Sequence, residues 1–167
     1  SKLADINPLL ELMEKLRDKD KGCSWDIKQD HNSIAHCSIE EAYELVSAIA
    51  KNDQENIKEE LGDLLLQVIF HSQIAKENNS FDFNDVIEVL SKKLITRHPN
   101  VFDPDFDEKI TADVQSKLWN EIKEKEKNQN TNKVSFESIS SSLSPIQKSK
   151  EIQKEASKKN FDWDSTE

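Results

Sequence analysis

Five acidic residues carry the most specific chemical signal in the chain: Glu40, Glu41 and Glu44 in one apolar-periodic stretch, and Glu60 and Asp63 in the next. Residues three apart on a helix share a face, with about 5–6 Å between Cβ atoms, so Glu41/Glu44 and Glu60/Asp63 are each a same-face pair. If the two stretches are helices folded back about Asn52, position 41 lies opposite 63 and 44 opposite 60, roughly 12 Å from the turn at the usual helical rise. Four ionised carboxylates aimed at one spot repel one another, and a divalent cation relieves that repulsion. An all-oxygen set suits Mg2+ or Mn2+ better than zinc. None of His31, His36, His71 and His98 follows a Glu by three, which argues against the Glu-x-x-His pattern of di-iron bundles. Taken singly, each acid reads most simply as solvated helix surface, and Glu41 also as the capping-box partner of Ser38. The joint arrangement favours the metal. Gly62, next to Asp63, costs about 1 kcal/mol in a helix interior relative to Ala, so it is expected where a helix or ligand approaches closely.

Lys93 and Arg97 stand four apart and can reach one phosphate; the alternative is a solvated edge or a complement to the helix C-terminal dipole. Beside a metal, they fit a polyphosphate: cation at the reacting phosphorus, Lys/Arg on the leaving group. Trp25, isolated in a polar stretch, can stack on a base or pack into the core. His98 reads as a helix-end residue.

The elements that must position these groups are helices. Asn7-Pro8 predicts an N-cap and first helical position, with Leu9, Met13 and Leu16 following at helical spacing to Arg17. Residues 18–37 break the pattern and read as a long loop. Ser38 with Glu41 predicts a capping box opening a second helix through Ile39, Ala42, Val46 and Ile49 to about Lys51. Asp53 caps a third, apolar at Ile57, Leu61, Leu64, Leu65, Val68 and Ala75, and the short connection makes the pair an antiparallel hairpin. Phe81-Asp82 predicts a hydrophobic staple onto Val86 and an N-cap for a fourth helix ending at Arg97, stopped by His98-Pro99. Residues 99–110 form a loop, and Thr111 caps a fifth helix with Val114, Leu118 and Trp119. The organisation is a helical domain over 1–127, a polar Ser/Asn-rich linker over 128–144, and a helical tail over 145–167 in which Asp162-Trp163-Asp164 echoes Ser24-Trp25-Asp26.

Composition narrows the classes. In 167 residues there are 2 Gly and 4 Pro, too few turn formers for a many-stranded sandwich or barrel. With 34% of residues charged and 35% hydrophobic, the apolar core must be narrow and amphipathic helices must build it. A net charge of −10 argues against nucleic acid as partner, because phosphate backbones are held by clustered Lys/Arg. The longest uncharged stretch, Leu64 to Ala75, is too short to span a membrane, and Ser1 to Asp5 has no apolar signal core. Cys23 and Cys37 make neither a disulfide framework nor a four-ligand zinc site, so a reducing cytoplasm is expected.

Together these residues resemble the MazG-type nucleoside triphosphate pyrophosphohydrolases of the all-α NTP pyrophosphatase superfamily. The signature E-E-x-x-E followed by E-x-x-D stands here as Glu40-Glu41-Ala42-Tyr43-Glu44 and Glu60-Leu61-Gly62-Asp63, flanked by Gly22-Cys23-Ser24-Trp25-Asp26, Phe81-Asp82-Phe83 and Arg97-His98-Pro99-Asn100-Val101-Phe102. Ser24 departs from the family's Pro, and Thr96 stands where a second basic residue is common. The resemblance implies an all-α antiparallel bundle, an intertwined homodimer or larger assembly, and Mg2+-dependent conversion of NTPs or dNTPs to monophosphate and pyrophosphate. It also implies Mg2+ on Glu41, Glu44, Glu60 and Asp63, with Glu40 as water-orienting base and Lys93 and Arg97 on phosphates. Family members often carry two tandem copies, and Ile146 to Trp163 resembles the opening of a second. The alternative is a catalytically weak nucleotide-binding or dimerisation module.

Overall fold

The computed structural model describes residues 5–106, 110–130 and 144–157. Residues 131–143 of the expected linker and the Asp162-Trp163-Asp164 segment lie outside them. Every regular element among the described residues is helical: α1 Asn7–Leu16, α2 Ser24–Lys28, α3 Ala35–Ala50, α4 Gln54–Glu77, α5 Phe83–Arg97, α6 Pro99–Phe102, α7 Ala112–Asn130 and α8 Pro145–Ser157. The all-α expectation holds. Two compact units divide the chain, one up to residue 95 and one from residue 96.

In the first unit α3 packs along α4, and α1 packs against α4. Ile69, Phe70 and Ile74 recur at helical spacing on α4 and close a core with Met13 of α1 and Ile34. Burying side chains of this size stabilises by about 1.5–3 kcal/mol each, which fixes the register of α1 on α4. The hairpin reverses at Asn52, where φ is 54°, a left-handed conformation that Asn tolerates better than most residues. Asp53 then caps α4 by accepting a hydrogen bond from the Asn56 N–H at 3.2 Å.

Several expected boundaries move. α3 begins at Ala35, so Ser38 lies inside the helix and forms no capping box. The cause is Ile34, only 2% exposed: its burial in the core sets the chain's path before Ser38 is reached. Asn7 does not cap α1; it is the first helical residue, and Asp5 Oδ1 accepts from its N–H at 3.0 Å. Asp82 does cap α5, accepting from the N–H groups of Asn84 and Asp85 at 2.7 and 3.1 Å. Phe83 packs on the core, while Phe81 stays exposed and shares a groove with Val86. The expected loop over 18–37 contains α2, and that over 99–110 contains α6. A Cβ added at Gly62 meets nothing within 4 Å, so no group among the described residues explains that glycine.

In the second unit Thr111 caps α7, its Oγ1 accepting from Val114 N–H at 3.4 Å. His98 precedes α6, as expected of a helix-end residue, and its ring meets Trp119 edge-on at 5.0 Å. No described helix is long and apolar enough to cross a membrane.

Candidate functional site

The hairpin brings the expected acids together. Carboxylate oxygens of Glu41 on α3 and of Glu60 and Asp63 on α4 lie within 4.8 Å of one another. Glu60 is buried, and its Oε2 has no hydrogen-bond partner, an arrangement that costs free energy unless something else satisfies it. Burial, followed by the charges of Glu44, Asp63, Glu41 and Glu59, holds the Glu60 carboxyl above the ordinary carboxylate range. Burial, with Asp63, Glu44 and Glu40, does the same to Glu41. Glu44 therefore stands within electrostatic reach of both but is not one of the three oxygens that converge. Glu40 is exposed and adds its charge beside Glu41. A buried unpaired oxygen among mutually repelling carboxylates is the donor set that a hard divalent cation satisfies.

Trp25 on α2 is 57% exposed, with its ring meeting Phe70 edge-on at 6.5 Å. The ring thus packs on the core through Phe70 while more than half of the residue remains exposed. α2 is held from below by a residue that the sequence reading passed over. The Arg17 side chain is 5% exposed and forms a bidentate pair with Glu77 of α4, Nε to Oε1 at 2.9 Å and Nη2 to Oε2 at 2.7 Å. Its Nη1 donates to the carbonyls of Asp26 and of Gln29, the latter at 3.1 Å, and its guanidinium lies 5.3 Å from the Phe70 centroid. One signal was legible: Arg17 follows Met13 by four and shares its inward face. Its partner, sixty residues on, was not. Arg17's hydrogen bond holds Glu77 below the ordinary carboxylate value.

Lys93 lines a groove of about 510 Å³ with Phe81, Asp85, Val86, Val89 and Leu90. Arg97 belongs to the second unit, where Glu126 Oε2 accepts from its Nη2 at 2.6 Å and its Nε at 3.2 Å, and Trp119 lies 5.2 Å from its guanidinium. The Nε and Nη2 donors are thus engaged within that unit.

A helical hairpin with convergent acids on its facing turns defines an all-α, acid-centred class of protein. Residues 29–102 match the model of the MazG nucleotide pyrophosphohydrolase domain, which places this stretch of the chain in the MazG family. It is 40% identical to the nucleoside triphosphate pyrophosphohydrolase of Escherichia coli K12 over 158 residues, 95% of this chain and 59% of that protein. It is 42% identical to the nucleoside triphosphate pyrophosphohydrolase/pyrophosphatase MazG of Thermotoga maritima over 159 residues, again 95% and 59%. The chain thus spans about three-fifths of the length of these relatives. The crystal structure of a mazG-related protein from Thermotoga maritima superposes with a TM-score of 0.57 at 29% identity, over 71% of this chain and 98% of that one.

Proposed function

We propose that the chain is a Mg2+-dependent nucleoside triphosphate pyrophosphohydrolase, converting NTPs or dNTPs to the monophosphate and pyrophosphate. The observation that carries it is the convergence of Glu41, Glu60 and Asp63 oxygens within 4.8 Å around an unpaired buried carboxylate oxygen; the names of the longer relatives support it. Glu41, Glu60 and Asp63, with Glu44 beside them, would hold Mg2+ or Mn2+. When bound, the ion supplies Lewis-acid charge to phosphate oxygens. Glu40, exposed and next to the cluster, orients a water and takes its proton as the water oxygen bonds to the α-phosphorus. The bridge from that phosphorus to the β-phosphate breaks, and Lys93 would offset the charge gathering on the departing pyrophosphate; the same role expected of Arg97 would require it to leave Glu126. Trp25 offers its open face to the base.

A second copy of the chain completes the bundle. Ile39, Tyr43, Val46 and Ile49 of α3 and Leu61 and Leu65 of α4 are each at least 36% exposed, and an apolar surface of that extent is characteristic of an interface. The chain's negative charge disfavours nucleic acid as a partner, and a cytoplasmic location fits its unpaired cysteines. The alternative, a catalytically weak nucleotide-binding or dimerisation module, draws on the engagement of Arg97 by Glu126. Incubation with a panel of NTPs and dNTPs plus Mg2+, with assay of pyrophosphate, separates the two. Release that is lost in Glu60→Ala supports hydrolysis; metal-dependent nucleotide binding without release supports the module.

A further inference from the structure

At the start of α3, one turn before the acid cluster, three unlike donors meet. His36, Cys37 and Glu40 each offer a ligand atom, and these atoms lie within 4.8 Å of one another. His36 Nε2 is 3.6 Å from Cys37 Sγ. Zinc bonds of about 2.3 Å to sulfur and about 2.0–2.1 Å to nitrogen, opening at the tetrahedral angle, put those two ligand atoms about 3.6 Å apart. The observed separation is therefore that of one edge of a zinc tetrahedron. His36 and Glu40 are four apart and share a helix face, so the carboxylate needs only a rotamer adjustment to complete the set.

We propose that His36, Cys37 and Glu40 form a zinc-binding site with water as the fourth ligand. The two clusters on α3 then select different ions by donor chemistry. The oxygen-only set at Glu41, Glu60 and Asp63 favours a hard cation, whereas thiolate and imidazole favour zinc over Mg2+. His36 and Glu40 are exposed and leave the ion a way in; Cys37 is partly buried against the Met13–Ile34–Ile69 core, which holds its sulfur in place. On binding, the Cys37 S–H bond breaks, its proton passes to solvent, and sulfur donates the freed pair to the ion. With three protein ligands and one water the site stays open, so the ion exchanges readily and is not needed for folding. The inference stands without the hydrolase reading, but the two share Glu40: an ion held there takes the carboxylate that would otherwise accept the water's proton, so bound zinc would oppose hydrolysis.

The test uses the whole chain, kept reduced with a phosphine, and Co2+ as a coloured substitute for zinc. Thiolate bound to Co2+ gives a near-ultraviolet charge-transfer band; the oxygen-only cluster gives none. The expected result is one saturable band at one ion per chain, bleached by added Zn2+. Cys37→Ser abolishes the band, and His36→Gln, a change at an exposed position, weakens Co2+ binding by about tenfold or more. Cys23→Ser leaves it unchanged. A wild-type chain without the band overturns the assignment, as does a band that survives Cys37→Ser or an affinity indifferent to His36→Gln. If Cys37→Ser fails to fold, the His36→Gln titration still decides.

Discussion

Replacing Arg17 with Met keeps the length and apolar bulk of the side chain but removes its charge and all its donors. Two hydrogen bonds to Glu77 and two to the carbonyls of Asp26 and Gln29 go with it. Arg17 is 5% and Glu77 28% exposed, so the pair behaves more like a buried one than a surface one. Removing one partner of a buried pair costs about 3–5 kcal/mol, against about 0–1 kcal/mol for an exposed pair. For a compact unit that ends at residue 95 each kcal/mol shifts the melting temperature by roughly 4–8 °C, so the melting temperature followed by circular dichroism should fall by about 12 °C or more near neutral pH. The pH dependence carries a second signature. Glu77 is held below its ordinary value of 4.5 by Arg17, so the pair's stabilisation is complete above that value and is lost as pH falls through the depressed one. Arg17→Met should flatten that acid limb. A loss below about 1 kcal/mol, the surface-pair value, or an acid limb identical to wild type, would refute the reasoning.

Glu41 and Glu60 titrate the opposite way: both sit above 4.5, so in chelator the folded state loses stability as pH rises from that value through the raised ones. Glu60→Gln should reduce this loss, and Mg2+ should raise the melting temperature of wild type near neutral pH but not that of the variant; equal Mg2+ shifts in both proteins would count against the metal site. Gly22→Ala should destabilise by more than 1 kcal/mol in denaturant unfolding, because an added Cβ falls closer than 3.0 Å to the backbone of Leu16 and Asp18; wild-type stability would show that the turn can shift. Trp25→Ala should raise KM for nucleotides roughly 5- to 160-fold, the range for loss of one base–aromatic stack, without altering inhibition by inorganic triphosphate. A matching change for both would move Trp25 from the base to the phosphates.

What the sequence determined by itself is what depends on local spacing. Helical periodicity and the short Lys51–Asp53 connection placed Glu41, Glu44, Glu60 and Asp63 on facing turns, since both rise per residue and same-face spacing are fixed by the backbone; oxygens of Glu41, Glu60 and Asp63 converge, whereas Glu44 acts on them only through its charge. Capping chemistry at Asp53, Asp82 and Thr111 was legible for the same reason: donor and acceptor lie within three residues. Only the tertiary structure decided where α3 begins, because burial of Ile34 against Met13, Ile69 and Ile74 outweighs the capping box that Ser38 and Glu41 offer locally. Nor could spacing show that Arg17 would find Glu77 sixty residues away and hold the Trp25 segment in place. The same holds for which acid becomes buried and unpaired. That depends on how two helices press together, and hence on contacts between residues far apart in the chain.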